Sequence, residues 1–191
     1  MGVLVVVEGK HESGGAARAL IQQVRPDLTD LMFERLANSK IHVHPGNGKA
    51  YFKKAVRWML EAKDRGFDAI ILLVDRDGVP TRCAEIADAQ NHTAQCPIPR
   101  ALGVPVEAFD AWMLADEQAI SSVLAVTVPR QPDPENIAHP KDHFEALLRS
   151  LERPWGGAQM YTELAKKLDI KKLEARCPTG FGAFANRVRN L

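Results

Sequence analysis

Cysteine is scarce in this chain. Cys83, Cys96 and Cys177 are the only three among 191 residues, and no two form a Cys-x-x-Cys pair. An odd, widely spaced set supports neither a disulfide framework nor a zinc knuckle, so the thiols read as reduced. Long apolar runs are absent too. Val3–Val7 stops at Glu8, too soon for the core of a secretory signal, and nothing approaches the roughly 18 apolar residues of a membrane helix. The expected location is the cytoplasm, with no membrane partner. Charge of one sign is likewise missing. Lys+Arg number 25 and Asp+Glu 24, a net of +1, which excludes a uniform basic coat for nucleic acid. Any basic contact must be local.

Against these absences stand an ordinary 46% of hydrophobic residues and a length that suits one domain, or one domain with an appended helical lobe. Val3–Val7 and Ala69–Val74 are continuous apolar runs, the pattern of parallel strands covered on both faces. Helical spacing follows the first run at Ala17, Leu20, Ile21 and Val24, with Pro26 as a stop. Ile41–His44 reads as a short strand closed by Pro45-Gly46-Asn47-Gly48, and Phe52, Val56, Met59 and Leu60 as one face of the next helix. A helix around Arg82–Ala89 leads to a short strand at Leu102–Val106, and Glu107–Ala115 reads as a helix. Alternating strands and helices predict an α/β fold with a mostly parallel sheet flanked by helices. Beyond the prolines of 129–140 the pattern is helical: Phe144, Leu147, Leu148 and Leu151 form a stripe behind Pro140, and two short helices are expected at Tyr161–Leu168 and Ile170–Arg176, with Asp169 as N-cap. Residues 1–116 are therefore read as an α/β core and 117–191 as a helical C-terminal lobe packed on it as one unit.

In an open parallel sheet, ligands bind beyond the carboxyl ends of the strands. Acidic residues stand at those ends: Glu8 after the first strand, Asp75 and Asp77 after the strongest one, Glu107 after the short one. Singly, each is as well explained as a turn former or a helix cap. Gathered at one edge, they would repel one another unless a cation neutralised them, and hard oxygen ligands select Mg²⁺ or Mn²⁺. Glu12 lies one helical turn beyond Glu8; it either assists or is an acid favoured at a helix start. Gly46-Asn47-Gly48-Lys49, between a strand and a helix, aims amides and a lysine at an anion, and Lys49, Lys53, Lys54 and Arg57 form either a phosphate-binding stripe or a solvated face. Glu163–Leu191 holds seven basic and three acidic residues, a charge of +4, leaving −3 for the rest. His139 and His143 have the spacing of zinc ligands, but no His-Glu-x-x-His exists and Pro140 interrupts the pair. Trp58, Trp112 and Trp155 read as packing residues.

The segments Val5-Val6-Val7-Glu8-Gly9-Lys10-His11-Glu12, Leu72-Leu73-Val74-Asp75-Arg76-Asp77-Gly78 and Val106-Glu107-Ala108-Phe109-Asp110-Ala111-Trp112-Met113-Leu114-Ala115-Asp116 resemble the TOPRIM fold, and within it the short stand-alone members of the OLD-type nuclease group. The resemblance implies that residues 1–116 are a TOPRIM-like catalytic core and the protein a metal-dependent nuclease that hydrolyses phosphodiester bonds. Glu8, Asp75 and Asp77 are then the catalytic residues. The metal ligands come from Glu8, Asp75, Asp77, Glu107 and Asp110, with Glu107 and Asp110 as alternatives for the third acidic element, three apart on one helix face. Lys10, Lys49, Lys53 and Lys54 would contact phosphate. Relatives of this kind work in phage defence or DNA repair, often with an ATPase, so DNA rather than RNA and an ATPase partner are expected. Two tyrosines outside any topoisomerase context, and the lack of a priming lobe, favour hydrolysis over the other TOPRIM chemistries. A non-catalytic regulatory or binding subunit, or a small-molecule phosphohydrolase, are the other readings.

Overall fold

A computed structural model describes residues 1–37, 49–93, 96–149 and 157–191. Four strands, β1 (Val3–Val7), β2 (Leu31–Arg35), β3 (Ala69–Leu73) and β4 (Arg100–Gly103), form one all-parallel sheet in the order β2-β1-β3-β4. Side chains of a strand alternate between faces, and here both faces are buried. Val3, Val5, Val7, Ala69, Ile71 and Leu73 enter one core cluster, while Leu4, Val6, Ile70, Leu72 and Val74 enter the other. This explains why β1 and β3 are apolar throughout. The second face is covered by α2 (Ala50–Asp64) and α3 (Thr81–Gln90) through Trp58, Met59 and Ile86. The first is covered by α1 (Ala17–Val24), α4 (Phe109–Met113) and α5 (Glu117–Leu124), followed by α6 (Pro140–Arg149), α7 (Gly157–Lys167), α8 (Ile170–Arg176) and α9 (Ala183–Arg189). The fold is α/β with a flanked parallel sheet and a helical C-terminal region. That region is not a separate body: Phe144, Tyr161, Phe181 and Phe184 share the cluster that holds Val5 and Ile71. Among the described residues no helix is long and apolar enough to cross a membrane.

Several element boundaries differ from those expected. The strand beside β1 is Leu31–Arg35, which the sequence pattern does not announce, because an edge strand exposes Met32 and half-exposes Phe33 and Glu34. The segments Ile41–His44 and Pro45–Gly48, and Trp155, lie outside the described residues. The short strand before Glu107 ends at Gly103, not Val106, and the helix after it starts at Phe109. Between them Glu107 has a left-handed backbone, φ 64°, so Glu107 and Asp110 do not share a helix face. α5, which precedes the proline cluster, is not announced by the sequence pattern. Its N-cap is Asp116, which accepts from the amides of Gln118 and Ala119 at 3.1 and 3.3 Å and from Lys172 Nζ at 2.8 Å. The aspartate that closes the Ala-Trp-Met-Leu-Ala-Asp motif is thus a cap and a tie to α8. Burial pushes its carboxyl up, but Lys172 and the amides hold it below the usual range. Asp169 caps α8 as its position predicts.

Candidate functional site

Register brings the two acidic strand ends together. Val7 pairs with Leu73, so Glu8 and Asp75 emerge side by side, and the Asp75 amide donates to Glu8 Oε2 at 3.1 Å. Past the strands the β3 and β4 loops remain paired: the amides of Val74, Arg76 and Asp77 donate to the carbonyls of Gly103, Pro105 and Glu107 at 2.8–3.1 Å. The loop after β1 turns into a helical turn, Glu12–Ala16, kinked at Gly15, whose φ of 125° suits glycine and whose missing Cβ lets Thr162 Oγ1 of α7 approach. This turn folds the Glu12 side chain back over Gly9. A Cβ at Gly9 would lie 2.8 Å from the Glu12 carboxyl carbon, so any side chain there would displace the Glu12 carboxylate. Glu12 is only 4% exposed.

These elements wall a cavity of about 460 Å³ at the carboxyl end of the sheet. Asp75, Asp77, Glu12, Glu107 and Asp110 line it, with Lys10 and His11 from the β1 loop and His139, Pro140, Lys141 and Asp142 from the start of α6. Five non-glycine residues among those described have left-handed backbones, and three of them, Asp77, Glu107 and His139, line this cavity. Such conformations cost free energy and concentrate at functional sites.

Charge is concentrated in the cavity floor. Burial pushes the Asp75 carboxyl well above the usual aspartate range, and Glu12, Glu8 and Asp110 add to the push; the Phe109 amide, donating to Oδ1 at 3.0 Å, opposes it. Glu12 is raised by burial first, then by Asp110 and Glu8. Asp110, 8% exposed, accepts from the hydroxyl of Tyr161 on α7. The Tyr161 ring stacks on His11, centroids 4.4 Å apart and 8° from parallel. Burial and the Asp110 charge push the Tyr161 hydroxyl up, so it stays a donor. Tyr161→Phe leaves Asp110 buried without this donor. A loss of about 1.5–3 kcal/mol is expected, the range for hydrogen bonds to charged groups; an unchanged midpoint in urea unfolding would show that the bond carries no weight.

The structure gathers the sequence-derived site residues unevenly. Asp75, Asp110 and Glu12 line the cavity; Glu8 lies outside its lining and is tied to Asp75 through the Asp75 amide at 3.1 Å. Asp77 sits at the exposed rim, 3.5 Å from Arg82 Nη1. Glu107 lines the cavity and is ion-paired with Arg76; Asp110 lines it and accepts from Tyr161. Lys10 lines the cavity and is exposed. Lys49, Lys53 and Lys54 lie outside its lining. Lys49 pairs with Asp88 at 3.0 Å, and Lys54 stands 4.8 Å over the Tyr51 ring. The first amides of α2 already have an anion: those of Tyr51 and Phe52 donate to Glu85 at 2.7 and 3.3 Å. The C-terminal basic segment is engaged as well. Lys166, Lys172, Arg176 and Arg189 pair with Glu163, Asp116, Glu117 and Glu174, and Arg187 donates to the Leu102 carbonyl. Two of its four net positive charges are thus matched by acids elsewhere in the fold, Lys172 by Asp116 and Arg176 by Glu117. Sequence reasoning missed Arg82 and Tyr161, and it left Glu12 undecided; the Glu8-x-x-x-Glu12 spacing was the available signal.

A family model described as Domain of unknown function (DUF4276) matches residues 7–189. The chain belongs to the DUF4276 family. No curated protein and no solved structure matches it. In this DUF4276 chain the match begins at Val7, one residue before Glu8, and covers every residue that lines the cavity.

Whether the donors fit a metal is decided by their chemistry. Among the described residues no three His, Cys, Asp or Glu side chains stand ready as a ligand group. The donors at the floor are nonetheless all carboxylate oxygens, and burial and mutual repulsion raise two of them. That set suits a hard divalent cation and no soft one. Asp75, Glu12 and Asp110, with Glu8 beside them and Asp77 at the rim, are the carboxylates such an ion would have to draw together.

Proposed function

We propose that this protein is a Mg²⁺- or Mn²⁺-dependent nuclease with a TOPRIM-like core, acting on DNA rather than RNA. The observation that carries the reading is the crowding of Asp75 by Glu8, Glu12 and Asp110 at the carboxyl end of a parallel sheet. Carboxylates held in repulsion favour a cation. When bound, such a cation supplies charge stabilisation for a phosphate in its transition state. Asp75 would hold it at the junction of β3 and α4, with Asp110 fixed from behind by Tyr161. Glu8 would position the attacking water or take its proton, its own orientation set by the Tyr51 hydroxyl at 3.2 Å and the Asp75 amide. Lys10 and Lys141, at the cavity wall, are the cations available to substrate phosphates. With no ATPase motif in this chain, an ATPase partner is part of the proposal, as is work in phage defence or DNA repair.

A second reading, a non-catalytic regulatory or binding subunit, is favoured by one observation: Glu8, Asp77 and Asp110 each have a protein partner already. Incubating the protein with plasmid, linear DNA and structured RNA, in Mn²⁺, Mg²⁺ or EDTA, separates the two. Metal-dependent cutting lost in both Glu8→Gln and Asp75→Asn is the expected result. Cutting that survives both substitutions would sink the nuclease reading. Metal binding without cutting on any substrate would favour the subunit.

A further inference from the structure

We infer that Arg82 is the resident counter-cation of the acidic edge: it stands between Glu8 and Asp77 and competes with a divalent ion for the same carboxylates. The inference rests on the metal-dependent reading above and adds a regulator to that site. Arg82 lies in the first turn of α3, which begins at Thr81, three residues after Gly78. Its side chain therefore returns over the β3 loop. Nη1 donates to the Asp75 carbonyl at 2.7 Å and to Asp77 Oδ2 at 3.5 Å, and stands 3.9 Å from Glu8 Oε2. Among the described residues these are the ion pairs that Glu8 and Asp77 make.

Two features distinguish this arrangement from a solvated surface pair. The guanidinium lies over the Tyr51 ring, 4.3 Å from its centroid, and the Tyr51 hydroxyl donates to the other oxygen of Glu8 at 3.2 Å. One aromatic side chain thus fixes both the cation and the carboxylate. The Arg82 side chain is only 12% exposed, where charges are screened less than at a free surface. Its Nε is buried without a partner. A buried donor left unpaired is unfavourable, so the Asp75 carbonyl, the Tyr51 ring and the two acids together offset that cost. Arg76, the neighbouring arginine, is paired instead with Glu107. A divalent ion taking Glu8 and Asp77 as ligands must first displace Arg82 Nη1 from them.

Titration of EDTA-treated protein with Mn²⁺ by calorimetry tests this, using wild type, Arg82→Lys and Arg82→Gln. Arg82→Gln is expected to bind Mn²⁺ at least about tenfold more tightly, the effect, even at the dielectric of water, of removing a unit charge about 6 Å from a divalent ion. Arg82→Lys, which keeps the charge, should lie closer to wild type. Thermal melts in EDTA supply a readout without metal. Arg82→Gln should melt below wild type, and adding Glu8→Gln should restore part of the loss, because the uncompensated carboxylate is then gone. Mn²⁺ affinity equal to or weaker than wild type in Arg82→Gln overturns the competition and leaves the metal site standing. Absence of Mn²⁺ binding in every variant overturns the metal reading and the competition together. Melting losses that add without recovery overturn the counter-cation role.

Discussion

Asp75→Asn is expected to lower metal-dependent cutting by about 100- to 1,000-fold, the usual cost of removing one preorganised electrostatic group, and at neutral pH to make the protein more stable in EDTA. The two effects have one cause. Ionised Asp75 is disfavoured in the fold by burial and by Glu12, Glu8 and Asp110, so its folded pKa lies above the ordinary 3.8. A carboxyl raised in this way costs nothing while it is protonated in both states. The cost appears as pH climbs past the unfolded value and is complete above the folded one. Asparagine removes the charge but keeps an oxygen for the Phe109 amide, which donates to Asp75 Oδ1 at 3.0 Å. The variant should therefore melt above wild type at pH 7, by about 2–4 °C for each kcal/mol of repulsion relieved in a domain of this size. The gap should close as the pH falls to about 3 or below. A variant that melts below wild type across the whole range would show that Asp75 is not held against repulsion, and would remove the main argument for a cation site.

What the sequence makes legible depends on how local each cause is. β1 and β3 are buried on both faces, so every residue in them is apolar and the runs are plain. β2 is an edge with Glu34 and Arg35 in it, and β4 opens on Arg100, buried through bonds to the carbonyls of Ala89, Ile98, Cys96 and His92; neither can be read from hydrophobicity alone. Glu8 and Asp75 are legible because each directly follows a strand whose direction and register the parallel sheet fixes. Arg82 and Tyr161 are not, because their roles arise from contacts made across the fold: Tyr161 reaches Asp110 over 51 residues of sequence. The Glu107–Asp110 pairing fails for a local reason that sequence conceals, a left-handed backbone at Glu107. Charge segregation is legible only as a sum, since net charge does not reveal which basic residues of Glu163–Leu191 are matched to an acid elsewhere in the fold, as Lys172 and Arg176 are.

Trp112→Ala is expected to have the largest effect on stability, about 3–5 kcal/mol for an aromatic removed from a packed core, and its consequence for the site should be indirect. Trp112 is fully buried. Its ring lies 5.4 Å from Phe109, 5.1 Å from Phe181 and 5.7 Å from Phe184, so one side chain joins α4 to the C-terminal turn and to α9. Truncation leaves those three rings facing a void, and the surrounding structure relaxes only in part. Trp112→Phe keeps most of the contact and removes an indole N–H that is buried without a partner; it should cost much less than alanine. Because α4 carries Asp110 two residues earlier, loosening it should weaken Mn²⁺ binding as well, in proportion to the stability lost. Tyr161→Phe and Asp75→Asn act on the site without that loss of packing. If Trp112→Ala unfolds in urea at the wild-type midpoint, the C-terminal helices do not hold α4, and the shared core that places Asp110 beside Asp75 has to be given up.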